Sequence, residues 1–254
     1  MSSPALEPIG IKEPNEADEY RARLYRSYRT DQVAIDISEE RASRAPYLRA
    51  VIRKYFPANR EAKILDVGCG AGLLLYFLRE AGYTRLWGID TSPEQVQDAR
   101  NSGFEQVERA NALEFLGNTA DRSFEVIVAF DIIEHLTGPE LLRLADEIHR
   151  VLSDGGLWLI HAPNAEGFFG NRIRYADLTH EQAFTRESIH QLSRAAGFSE
   201  TKCFEDSPVA HGLKSMLRLV SWKAMRIFLR VYRLSETGET NGIFSQNLLA
   251  YMKK

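Results

Sequence analysis

The chain lacks a strong charge of either sign, a long apolar run and more than two cysteines. The formal net charge is -3 over 254 residues, which gives no support for a broad nucleic-acid-binding surface. A local basic patch remains compatible with it. Cys69 and Cys203 are the two cysteines, and Cys69 sits in a glycine turn, so no structural disulfide is expected and a reducing compartment fits. Met1 to Pro8 shows no basic segment followed by an apolar core, so no secretory signal is visible and a cytoplasmic location is expected. No stretch is apolar for long enough to span a bilayer, and there is no repeat or low-complexity tract. What is present is ordinary: 44% hydrophobic and 26% charged residues, enough for one α/β domain with a sizeable core, alone or with a small cap.

The organising stretch is Lys63-Ile64-Leu65-Asp66-Val67-Gly68-Cys69-Gly70-Ala71-Gly72. The apolar residues before the first glycine read as a buried strand. Alternate glycines then let the backbone bend sharply and leave no Cβ between it and a ligand. Leu73 to Leu78 starts a helix that packs on the sheet. Strand, turn and helix form a nucleotide-sized cradle at the carboxyl end of a parallel strand. The dinucleotide fingerprint needs its third glycine where this chain has Leu73, so a nicotinamide enzyme is disfavoured.

Asp66-Val67-Gly68-Cys69-Gly70-Ala71-Gly72 resembles motif I of the class I S-adenosylmethionine-dependent methyltransferases. The resemblance implies that Gly68 to Gly70 line the methionine half of the cofactor and that Asp66 helps place its ammonium group. Asp90 ends a second strand, Arg85 to Asp90, and lies where a carboxylate accepts hydrogen bonds from ribose hydroxyls. In the family, Asn111-Ala112 corresponds to a site that faces the adenine. The implied cofactor contacts are therefore Asp66, Gly68, Cys69, Gly70, Asp90, Thr91, Asn111, Ala112 and Asp131. The bland alternatives are a strand-end turn for Asp90 and an Asn turn for Asn111.

Along the chain, residues 1 to about 18 read as a loose tail, and the Tyr- and Arg-rich segment Glu19 to Arg29 as a helix or a lid over the site. The expected divisions are a tail and helical lid over 1–45 and a methyltransferase domain over 46–254. Arg44 to Tyr55 reads as a helix stopped by Pro57. Ser92-Pro93-Glu94-Gln95 starts another, with Ser92 as N-cap and Gln95 closing a capping box. Strands are expected at 106–109, 124–130, 157–164, 199–205 and 246–252, and a periodic helix over Pro139 to Leu152. The fold class that follows is α/β: a doubly wound, mostly parallel, seven-stranded Rossmann-like sheet with helical cap elements. Asp66, Gly68, Asp90, Asn111 and Asp131 then share the rim at the strand ends.

The acceptor is approached through Asp131-Ile132-Ile133-Glu134-His135-Leu136 and the later His180. The prolines and aromatic that clamp a planar amine are missing after strand four. The segment resembles small-molecule and sugar O-methyltransferases, and the ubiquinone-pathway and small-RNA 2′-O-methyltransferases share a related arrangement. That resemblance implies a divalent metal on Asp131, Glu134, His135 and His180, with Asp in place of a longer Glu. The alternative is a capping pair, Asp131 with Glu134, a core His135 and a loop His180. Without metal, His135 or His180 is the candidate general base on a hydroxyl. His149 and His190 read as structural; His161 and His211 stay undecided.

An insertion over about 206–243 holds a basic amphipathic helix, 211–234. Lys214, Arg218, Lys223, Arg226, Arg230 and Arg233 occupy one half of the wheel, and apolar residues the other. It reads as a cap helix whose apolar stripe packs on the core, with peripheral membrane contact as the alternative. The functional expectation is O-methylation of a sugar hydroxyl, free, nucleotide-linked or in a glycan. The alternatives are another small molecule, such as a quinol, phenol or amine, and a cofactor-binding regulator without turnover.

Overall fold

A computed structural model describes residues 23–24 and 37–254. The expected tail and lid fall largely outside the described residues. Helix α1, Ile37–Tyr55, starts earlier than its apolar pattern announces and runs through the division expected at 45–46, with Pro46 inside it. Its buried Ala45, Leu48, Val51 and Ile52 recur at helical spacing and join a core cluster with Leu74, Phe77 and Leu78 of α2, Leu73–Glu80.

Seven strands form one sheet: β1 Ile64–Val67, β2 Leu86–Asp90, β3 Val107–Arg109, β4 Phe124–Phe130, β5 Leu152–Pro163, β6 Glu200–Glu205 and β7 Asn247–Lys253. Their spatial order is β3-β2-β1-β4-β5-β7-β6. Neighbours from β3 to β5 are parallel, whereas β7 lies antiparallel between β5 and β6. The chain order reverses on either side of β1, and the crevice above that switch point is where such sheets bind ligands. Alternate residues feed opposite faces: Val126 and Val128 enter the core beside α1 and α2, and Ile127 and Ala129 the other core. The second face is covered by α4 (Ala112–Gly117), α5 (Gly138–Val151) and α7 (Arg186–Ala195). Helix α3, Pro93–Asn101, lies on the first face through Val96 and Ala99.

The local signals explain most element ends. Ser92 Oγ accepts from the Gln95 N–H at 3.4 Å. The Gln95 side chain forms no reciprocal bond among the described hydrogen bonds; it lies beside Gly70 instead. Full capping boxes sit at Thr137 and Glu140, opening α5, and at Thr185 and Ser188, opening α7. Of Asp131 and Glu134, read as a capping pair in one alternative, Asp131 precedes a single 3-10 turn, Ile133–His135, and Glu134 lies inside it. Helix α6, Gly170–Ala176, and helix α8, Leu213–Thr237, complete the described elements.

Candidate functional site

The glycine turn is fastened to the sheet by its own backbone. The N–H groups of Gly68 and Cys69 both donate to the Ile89 carbonyl, at 2.8 and 3.0 Å. Gly68 has φ +73°, and a Cβ there would overlap Ile132, which drops onto the turn from beyond β4. Gly88, one strand away, leaves room for Cys69, whose Sγ lies 2.8 Å from where a Cβ would stand. Burial pushes the Cys69 thiol up, and it forms no disulfide. Asp90 closes the cradle: one oxygen accepts from the Gly70 N–H at 2.9 Å and the other from the Ser92 N–H at 2.8 Å.

Beneath this turn lies Asp66, 3% exposed on the α1 and α2 face of the sheet. It receives no hydrogen bond among the described residues. Burial, then the charge of Asp90, raises its pKa to about 8. A buried carboxyl without a donor is costly unless a cation arrives to meet it. Asp66 and the open glycine cradle thus fit an organic cation at this end of the crevice.

The second half of the rim is built by β4, β5 and the segment that follows β5. Asn164 is fully buried; its Nδ2 donates to the Ile243 and Ser245 carbonyls at 2.6 and 2.7 Å. This ties the start of the segment to the chain entering β7. Its far end is tied to the 3-10 turn: the Glu134 carbonyl accepts from Glu181 and Gln182, and Gln182 Nε2 donates to the Leu136 carbonyl. His180 is thereby held against His135, with ring centroids 4.7 Å apart.

Glu134, His135 and His180 each offer a ligand atom, all within 4.8 Å of one another. Thr179 Oγ1 donates to Asp177 at 2.6 Å, so His135 Nδ1 is the donor in its 2.8 Å bond to that oxygen, and Nε2 carries the ring's lone pair. His180 Nδ1 faces the Ile173 carbonyl at 3.1 Å, which sets the same tautomer. Burial, then His180, lowers the His135 pKa. Glu134 is 1% exposed, its Oε2 holds no hydrogen bond among the described residues, and burial followed by Asp131 raises its pKa to about 8. An orphaned buried carboxylate oxygen and two imidazoles with oriented lone pairs fit a divalent cation such as Zn, Fe or Mn.

Asp131 does not join these three. Its carboxylate takes the His161 Nδ1 at 2.6 Å, and the other His161 nitrogen faces Asp206 at 3.4 Å. The pairing follows from sheet register, since Phe130 lies opposite His161 and Asp131 is the next residue. Burial opposes a charge on His161, but Asp131 and Asp206 outweigh it and raise its pKa to about 10. His161 is therefore a cation near neutral pH, and Asp131 is held below the usual carboxylate range because that cation outweighs its burial. Asp131 has φ +56°, a left-handed backbone that aspartate tolerates better than most residues. Tyr47 of α1 reaches the same place: its hydroxyl is buried and faces the Asp206 carboxylate. Burial and then Asp206 push the tyrosine pKa up.

The family model described as a methyltransferase domain matches residues 33–202, and with it the cradle, Asp66, Asp90 and the 3-10 turn. The chain belongs to the class I S-adenosylmethionine-dependent methyltransferases. Curated relatives of this methyltransferase include the ubiquinone biosynthesis O-methyltransferases of Xanthomonas oryzae pv. oryzae, 35% identical over 99 residues, and of Xylella fastidiosa, 34% over 107. Those matches cover 37% and 41% of this chain, and the chain spans about two fifths of the relatives' length, 40% and 42%. A solved SAM-dependent methyltransferase from Archaeoglobus fulgidus shares the fold with a TM-score of 0.63 at 20% identity, covering 82% of this chain and 93% of its own. A phosphoethanolamine N-methyltransferase from Haemonchus contortus, solved with S-adenosyl-L-methionine, does so at 0.57 and 17%, covering 82% and 52%.

The remaining expected residues of the methyltransferase fall into place unevenly. Asn111 Oδ1 accepts from the Leu113 and Glu114 N–H groups, so it caps α4 and its oxygen is engaged there, as the turn alternative has it. Ala112 follows as the first residue of α4, and Thr91 is exposed, its carbonyl taking the Arg109 Nε. His149 packs edge-on against Phe198, and His211 is exposed, with Nδ1 turned to the Val209 carbonyl. Tyr47, His161 and Asp206 were not among the expected site residues. A groove of about 490 Å³ between Lys54, Asp154 and Lys253 opens at the opposite end of the strands and includes none of these groups.

Proposed function

We propose that this methyltransferase transfers the methyl group of S-adenosylmethionine to a hydroxyl oxygen of a small molecule. The observation that carries the reading is the cluster of Glu134, His135 and His180 at the rim beside the cradle. When bound, S-adenosylmethionine supplies a methyl group already activated on a sulfonium. Asp66 would hold the ammonium as a carboxylate, releasing to solvent the proton that burial favours. Gly68, Cys69 and Gly70 would line the methionine chain. Asp90 would accept from the ribose hydroxyls with the lone pairs that its backbone donors leave, and Ala112 would lie by the adenine. Without a metal, His135 or His180 receives the hydroxyl proton at Nε2, since Nδ1 of each is already a donor. Glu134, His135 and His180 would hold a divalent cation, which lowers the pKa of an alcohol and orients it. The chain then has mainly to hold oxygen, carbon and sulfur in line.

The acceptor class is read from what lies around that cluster. The polar group of Tyr47, Asp206, His161 and Asp131 supports an acceptor with several hydroxyls, of which a sugar is the first choice. The names of the relatives support a quinol or phenol instead. Assays with methyl-labelled S-adenosylmethionine against sugar nucleotides, glycans, quinols and phenols, with and without chelator, separate the two. Turnover on amines alone would reject the O-methylation reading. Cofactor binding with no turnover on any acceptor would favour a regulator.

A further inference from the structure

Helix α8, Leu213–Thr237, has no buried residue over its 25 positions. The expectation of an apolar stripe packed on the core is overturned. The residues that face the domain are half-buried: Leu219, Trp222, Arg226, Leu229 and Arg233. The two arginines among them are neutralised by the domain, Arg226 by Glu205 at 2.7 Å and Arg233 by Glu166 at 3.0 Å. Opposite them, at helical spacing, lie Leu213, Leu217, Val220, Ile227, Phe228 and Val231. All six are exposed, Leu213 at 78%, Leu217 at 61% and Phe228 at 65%.

Burying so little of so apolar a face in the protein is uncommon for a surface helix. The charges around it say what covers it. Lys214 and Arg218 border the apolar face on one side, Lys223 and Arg230 on the other, and all four are exposed. No acidic residue occurs from Ser207 to Ser235. The surface is therefore an apolar strip between two cationic margins. Two copies packed face to face would bring like charges together along both margins. No helix among the described residues is long and apolar enough to cross a membrane.

We propose that α8 lies flat on an anionic lipid bilayer, its outer face among the acyl chains and its four lateral cations at the phosphates. The contact extends past the helix. Glu166, paired to Arg233, opens the segment after β5, and that segment exposes Phe168, Phe169, Tyr175 and Leu178 before it reaches His180. On the proposed function, the acceptor cluster thus sits next to the membrane face, where an acceptor carried in the bilayer reaches it. Lipid binding itself does not depend on that function.

The test is flotation of the full chain with vesicles of phosphatidylglycerol and phosphatidylcholine, and of phosphatidylcholine alone, at low and high salt. The protein floats with the anionic vesicles, and high salt weakens it. Leu217→Asp with Phe228→Asp reduces binding by at least about tenfold. Each of Lys214→Gln, Arg218→Gln, Lys223→Gln and Arg230→Gln lowers it by roughly fivefold and flattens the salt dependence. All these variants keep cofactor binding and melting temperature, because the altered side chains are exposed. No flotation with anionic vesicles at low salt overturns the proposal. So does a wild-type dimer by light scattering that the Leu217→Asp, Phe228→Asp variant converts to monomer while neither protein floats. Failure of the acceptor assays with flotation intact would remove the proposed function and leave the membrane contact standing.

Discussion

Asp66 at the end of β1 and Glu134 after β4 are carboxyls in nearly the same state. Both are buried, and in both burial, followed by a neighbouring aspartate, raises the pKa to about 8. Their company differs. Asp66 lies under a glycine turn whose backbone leaves an open cradle, whereas Glu134 stands beside two imidazoles with oriented lone pairs. A destabilised carboxyl is thus the common ingredient, and its neighbours decide what cation it awaits. The first suits the ammonium of an extended ligand, and the second a compact divalent ion.

The sharpest way to break the comparison is to remove the imidazoles. His135→Ala with His180→Ala lowers turnover by roughly 100-fold or more, while calorimetric affinity for S-adenosylmethionine changes by less than about twofold. Equal loss in both measurements would show one site rather than two. Asp66→Asn gives the reverse pattern: affinity for the cofactor weakens by roughly 10- to 100-fold, because a charged hydrogen bond is lost. Glu134→Gln should leave that affinity unchanged, and a matching loss would erase the distinction.

A smaller effect concerns stability and pH. Asp66 binds its proton more tightly in the folded chain, with a pKa of about 8, than in the unfolded chain at 3.8. Its contribution is present below the unfolded value and is lost as pH rises through about 8. Without cofactor, the melting temperature of the wild type falls over that interval, and that of Asp66→Asn falls less. Parallel curves would mean that Asp66 is ionised throughout. Smallest is Gly70→Ala, where φ is +53° and the space beyond is open apart from the Gln95 side chain. It costs about 1 kcal/mol in denaturant unfolding. Gly68→Ala costs more, because its Cβ meets Ile132.

The cradle was readable in advance because its parts are local. Asp66, the glycines and Asp90 lie within one strand-helix-strand unit, where spacing along the chain maps onto distance in space. His161 escaped because it meets Asp131 only through the register of β5, and Asp206 because it meets His161 from the exit of β6. Tyr47 comes from a helix before the first strand. The direction of α8 escaped for another reason. A helical wheel gives the angle between residues, not which side meets the domain, and here Glu166 and Glu205 draw two arginines inward. The parallel strands were legible as apolar runs, but not the antiparallel insertion of β7 between β5 and β6.

That insertion has a consequence for how the sheet is completed. Among the described residues β6 pairs with β7 alone, so although it is made earlier it has no described strand to pair with until β7 emerges. Until then β5 is an open edge exposing unpaired backbone groups at the middle of the future sheet. A chain cut before Asn247 would forfeit two strands rather than one, and nascent molecules stalled there would be the ones prone to stick to each other.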